Sequence, residues 1–284
     1  MRYIDINDLR LDDDWPGLAQ AAARDVLENG AAISDYDGLW RDLKQKLSEL
    51  LDGKCWFCET PVTRSDNAVD HFRPKGRVAD AEHEHQGYRW LSFEPRNFRF
   101  ACTFCNSRRV DIVHGTAGGK ADRFPILDEG ARVYEVDPAL LDYDDLLATI
   151  INESPKILDP CDPNDWRLIG CRRENGNPCP ASDDPEAIVR VAESIDVYHL
   201  KHEPTCKQRH TIAGQLLEKV REAKKAFLVI NVADADTKRR FDRLATEIYR
   251  MIRIKAPYSG EMHFLLRGQR SSDHPWIQEV LERG

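Results

Sequence analysis

Two Cys-x-x-Cys pairs, Cys55/Cys58 and Cys102/Cys105, stand 43 residues apart in a chain of 284. Four thiolates in two pairs of equal spacing are the donor set of a tetrahedral zinc. Such a metal ties two loops together and can replace a core in a unit of roughly 60 residues, which buries too little apolar surface to hold itself. Protein fills all four positions, so a zinc here is structural and leaves no open place for a substrate. Between the pairs lie Asp70-His71 and an isolated Asn97, and Asn106 directly follows the last cysteine.

The rest of the chain is ordinary for a globular protein, at 41% apolar and 32% charged residues. Its net charge of −8 argues against a surface coated in basic patches. The charge is unevenly spread: residues 1–53 carry 6 Lys/Arg against 12 Asp/Glu, residues 54–125 carry 12 against 9, and the remainder 23 against 28. Any phosphate-binding surface should therefore be local to the cysteine-bracketed segment. The opening residues lack the apolar stretch of a signal peptide, and the longest uncharged apolar run, 226–233, is too short to span a bilayer. No membrane partner and a cytoplasmic address are expected, where thiols stay reduced and Cys-x-x-Cys pairs bind metal before they form disulfides.

Apolar spacing predicts helices over residues 15–52, from Leu18, Ala22, Val26 and Leu27, then Leu39, Leu43, Leu47 and Leu50 or Leu51, with Ser34 as a helix start. Residues 68–72 alternate between Ser65-Asp66-Asn67 and Pro74 and suit a strand; 98–101 suit its partner and 103–110 a short helix. Residues 111–185, rich in Gly, Pro and Asp, predict long loops. Helices return from Ile188, with an apolar face at Ile212, Leu216, Leu217 and Val220, and again over 237–254. The expected fold is α+β, a small β-β-α core with a four-cysteine structural zinc, wrapped by helices from both ends. The segments are 1–53 helical, 54–127 core, and 128–284 loop-rich then helical.

The order Cys-x-x-Cys, Asp-His, Asn, Cys-x-x-Cys-Asn resembles the zinc-stapled HNH endonucleases of the ββα-metal class. DHFRPK at 70–75, YRWL at 88–91, AC-x-x-CN at 101–106 and FPI at 124–126 are similar to one subfamily, the HNH nucleases found beside an ATPase in retron-linked and Septu-type anti-phage systems. The likeness covers residues 50–127, continues more weakly through LDPCDPNDW and the helix near Arg209, and does not reach residues 1–50. It implies a metal-dependent phosphodiester hydrolase acting on DNA, with an ATPase partner protein. An RNA nuclease of the same fold, for example one cutting tRNA, and a non-catalytic zinc-ribbon adaptor for nucleic acid or protein are the alternatives. A binding module has no need of Asp70, His71 and Asn106.

Within that resemblance His71 is the general base, since its ordinary pKa suits deprotonating water near neutral pH. Asp70 and Asn106 would hold one Mg²⁺ or Mn²⁺, hard cations that take oxygen ligands. Asn97 would brace the loop between the strands. Arg73, Lys75, Arg108 and Arg109 would position phosphates. Neighbours in a regular strand face opposite sides, so Asp70 and His71 can share a site only where the strand ends or twists, as Pro74 permits. GTAGGK at 115–120 looks like a phosphate loop but fails the pattern, with His114 where a glycine is needed and Ala121 after the lysine. Cys161, Cys171, Cys179 and Cys206, with His199 and His202 nearby, are too irregularly spaced to define a second zinc site and are read as unpaired thiols.

Overall fold

The structure is a computed structural model describing residues 1–61, 67–113, 115–140, 142–229 and 235–284. Ser65, Asp66 and His114, and much of the apolar run 226–233, lie outside these. The chain begins with helices α1 (Trp15–Glu28), α2 (Gly38–Arg41) and α3 (Lys44–Leu50). Strand β1 (Ala68–His71) follows and pairs antiparallel with β2 (Phe98–Ala101), in the register Asp70↔Arg99 and His71↔Phe98. Helix α4 (Thr103–Asn106) comes next, then the hairpin β3 (Arg109–Asp111) with β4 (Thr116–Gly118) and the hairpin β5 (Ile169–Cys171) with β6 (Pro178–Pro180). Helices α5 (Pro185–Val197), α6 (Glu203–Leu228), α7 (Ala235–Ile252), α8 (Ser259–Arg267) and α9 (Trp276–Arg283) complete it. The fold is α+β as expected, with short strands and helices at both ends. Among the described residues no helix is long and apolar enough to cross a membrane.

Three apolar clusters organise these elements. Helices α1 to α3 close over Trp56, Phe93, Phe98 and Phe100. The buried stripe of α1 is Trp15, Ala19, Ala22, Ala23 and Val26, whereas Leu18 is 54% exposed. Trp15 sets that rotation, since its indole N–H donates to Leu39 O at 2.9 Å. Ser34 sits inside a single 3₁₀ turn, and α2 begins four residues later at Gly38. A central cluster, reaching from Met1 to Leu200, surrounds the cysteine pairs, where Phe57 stacks on Tyr198 with ring centroids 4.1 Å apart. In the third cluster Ala213, Leu216, Val220 and Ala223 of α6 pack with α7, α8 and α9. The apolar face of α6 is thus filled by its own chain.

The middle of the chain, low in regular structure, is held by buried charges. Glu153 accepts from Arg73 Nε, Tyr88 OH and Val133 N, each at 2.9 Å. Lys54, fully buried, donates to Ala256 O at 2.7 Å, and Glu59 accepts from Gly260 N at 3.0 Å. Those two contacts stitch the first cysteine pair to the C-terminal helices.

Helix α4 is shorter than expected. It stops at Asn106, and Ser107 is extended. Lys120 N donates to Cys105 O at 2.8 Å and Ala121 N to Asn106 O at 2.6 Å, taking carbonyls that another helical turn would have used.

Gly87 has φ +89, and a Cβ there would lie 1.7 Å from Gly76 O. This close approach holds together the loop that carries Pro74 to Gly76. Gly87→Ala combines left-handed strain with a backbone clash and should cost at least about 2 kcal/mol. Chemical denaturation of parent and variant measures the difference, and equal midpoints would contradict the close approach.

Candidate functional site

The two cysteine pairs meet. Sulfur atoms of Cys55, Cys58, Cys102 and Cys105 all lie within 4.8 Å of one another, with Cys58 Sγ and Cys102 Sγ 3.9 Å apart. A tetrahedral zinc with bonds of about 2.3 Å spaces its sulfurs by roughly 3.8 Å, whereas a disulfide needs about 2.05 Å. The donor set therefore fits a zinc with four thiolates. Hydrogen bonds with Cys102, Cys105 and Cys55 hold the Cys58 thiol well below its usual range, while burial pushes Cys55 up. Thiolates in so apolar a cluster call for a compensating cation. Backbone bonds shape both loops: Glu59 N to Cys55 O, Trp56 N to Phe100 O, and Asn106 N to Cys102 O.

Strand β1 ends at His71 because the chain there turns onto Asn97. Phe72 N donates to Asn97 O, Arg73 N donates to Asn97 Oδ1 at 2.8 Å, and Asn97 Nδ2 donates to Arg73 O and Leu91 O. Asn97 is buried and braces the loop; it is not among the residues that line the neighbouring cleft. With the strand terminated, Asp70 and His71 line one cleft of about 440 Å³ together with Lys75, Asn106, Arg108 and Asp122.

His71 is held on three sides. Its Nε2 is 2.9 Å from Ser92 O, and its ring meets Trp40 and Phe98 edge-on at 5.1 Å. A carbonyl only accepts, so Nε2 carries the proton and Nδ1 keeps the lone pair. Burial, reinforced by Lys75, holds the imidazole pKa well below its ordinary value, so the ring stays neutral and the ordinary pKa expected of it does not hold in the fold. The Asp70 carboxyl is buried, which pushes its pKa up against the pull of Lys120. Its Oδ1 takes Lys120 Nζ at 3.1 Å, and its Oδ2 has no hydrogen-bond partner among the described residues. Asp70, with one carboxylate oxygen orphaned, and Asn106, with its amide, both line the cleft and make a donor set that fits a hard divalent cation.

Of the four cations expected near a phosphate, Lys75 and Arg108 line the cleft. Arg73 does not: its guanidinium is drawn 2.9 Å from Glu153 and lies 5.0 Å from the centroid of the Phe124 ring, so it serves the core. Arg109, on β3, is exposed and also outside the cleft. The sequence assigns no role at this site to Lys120 or to the Ser92 carbonyl; the glycines ahead of Lys120 are the signal in it that the chain turns tightly there. Cys161, Cys171, Cys179 and Cys206 do not gather with His199 and His202; among the described residues the four-sulfur group is the one cluster of His, Cys, Asp or Glu set to hold an ion.

Compared with protein-family models, curated proteins and solved structures, the chain matches none.

Protein purified without added zinc should contain about one equivalent by elemental analysis. Cys102→Ser should lose that metal and much of its solubility, because the metal joins the two loops. A well-folded parent free of zinc would contradict the site.

Proposed function

We propose that this chain is a divalent-cation-dependent endonuclease of the HNH type, hydrolysing phosphodiester bonds, with DNA as the favoured substrate. The observation that carries the reading is the His71 ring, locked in one tautomer by Ser92 O in a cleft shared with the partnerless Oδ2 of Asp70. The order β1, β2, α4, with one cysteine pair before β1 and the other around the start of α4, is the arrangement the resemblance to ββα-metal nucleases implies.

In this reading Lys75 and Arg108 draw a phosphate into the cleft. His71 Nδ1 accepts a proton from the attacking water, and Ser92 O keeps the ring aimed as it becomes an imidazolium. Asp70 and Asn106 would hold Mg²⁺ or Mn²⁺, which when bound supplies neutralisation of charge on the scissile phosphate and its leaving oxygen. Asn97 keeps β1 ending where both Asp70 and His71 reach the cleft. The likeness to nucleases encoded beside an ATPase supports a cytoplasmic role in anti-phage defence with such a partner. The acidic flanks of the segment agree with it, because so small a basic surface grips duplex weakly by itself.

The test is incubation of the purified chain with plasmid and with total RNA, each with and without Mg²⁺. Plasmid nicking that requires Mg²⁺ is expected, and His71→Ala should reduce it about 10²–10⁴-fold while zinc content stays at the parental level. Cutting of RNA alone would transfer the reading to the RNA nuclease. A His71→Ala variant as active as its parent, or plasmid nicking undiminished when Mg²⁺ is withheld, would contradict it.

A further inference from the structure

The segment from Gly118 to Ala121, which fails the phosphate-loop pattern, runs against the end of α4 and brings Ala121 to the cleft. Gly119 has φ +115, and a Cβ there would lie 2.1 Å from Ser107 O, so the chain passes hard against the end of α4. The next two residues take its last carbonyls, Lys120 N from Cys105 and Ala121 N from Asn106. From that anchored position the Lys120 side chain, fully buried, reaches across to β1, where Nζ donates to His71 O at 2.7 Å and to Asp70 Oδ1 at 3.1 Å. One residue thus holds by its backbone the helix that bears Cys105 and Asn106, and by its side chain both members of the Asp-His pair.

A buried ammonium is costly unless it is paired, and an apolar side chain of the same length would fill the space at less cost. What the ammonium adds is direction. By occupying Oδ1 it leaves Asp70 one oxygen, Oδ2, which has no partner among the described residues. We infer that Lys120 is a positioning residue of the proposed centre, which makes Asp70 a one-oxygen ligand and fixes its separation from Asn106. This rests on the nuclease reading above. A one-oxygen carboxylate suits a small cation that keeps most of its waters, whereas a carboxylate with both oxygens free suits the larger Ca²⁺. Lys120 therefore biases the site toward Mg²⁺ and Mn²⁺ and against Ca²⁺.

The experiment is calorimetric titration of the zinc-loaded protein with Mn²⁺ and with Ca²⁺, comparing the parent with Lys120→Met. Thermal unfolding and zinc content are measured on the same samples. Loss of a residue that orients a metal ligand typically weakens binding about 10–100-fold, and that is the loss expected for Mn²⁺. Ca²⁺ should lose less, so the Mn²⁺-to-Ca²⁺ affinity ratio falls. Unchanged affinities, or equal losses for both ions, in a folded, zinc-loaded variant would overturn the assignment and leave the nuclease reading intact. A parent that binds neither ion would overturn the cation site itself, and this assignment with it. If Lys120→Met loses zinc, Lys120→Gln, a neutral residue that keeps an N–H donor, is judged by the same ratio. Loss of zinc from both variants would make Lys120 a folding residue and overturn its positioning role.

Discussion

Four sulfur atoms gathered within 4.8 Å of one another are the constraint on which the rest of this molecule depends. Strands β1 and β2 have four residues each, and an isolated two-stranded pair of that length is marginal in water. Pinning the loop before β1 to the turn that opens α4 gives the pair a fixed frame. Asn106, next to Cys105, and the Asp70-His71 pair then face the same cleft although they are far apart in the chain. The central apolar cluster forms around the same sulfurs.

Around that frame the fold uses buried charges as ties between segments. Glu153 gathers Arg73, Tyr88 and Val133. Arg209, 1% exposed, lies 3.2 Å from Glu261, and Lys54 and Glu59 reach into the C-terminal helices. Buried pairs of this kind add little net stability over apolar replacements, yet removing one partner strands the other. Their value here is geometric, since Glu153, Lys54 and Glu59 each tie a loop with few regular hydrogen bonds to a defined partner, and Arg209 with Glu261 ties α6 to α8. Behind Asp70, Lys120 does for that carboxylate what Glu153 does for the loop at Arg73.

The features legible in the sequence were those written in local spacing. Two equal cysteine pairs announce a metal, and Pro74 permitted an early end to β1, although the turn onto Asn97 is what ends it. What stayed hidden depends on partners distant in the chain. Arg73 resembles a phosphate ligand until Glu153, 80 residues on, claims it. Lys120 acquires meaning only when the chain folds back on α4, which also cuts that helix to Thr103–Asn106. On α1, helical spacing placed the apolar stripe through Leu18, but an indole hydrogen bond to Leu39 turned the helix toward Ala19 and Ala23.

The proposed nuclease requires two separate metals in one molecule, a closed structural zinc and an exchangeable cation beside His71. Anomalous diffraction from crystals soaked in Mn²⁺, with data recorded at the zinc and manganese edges, tests it most directly. The account predicts a zinc peak amid the four cysteine sulfurs and a manganese peak in the cleft against Asp70 Oδ2 and Asn106. Manganese bound elsewhere, or a cleft without density at full occupancy of the zinc, would contradict it.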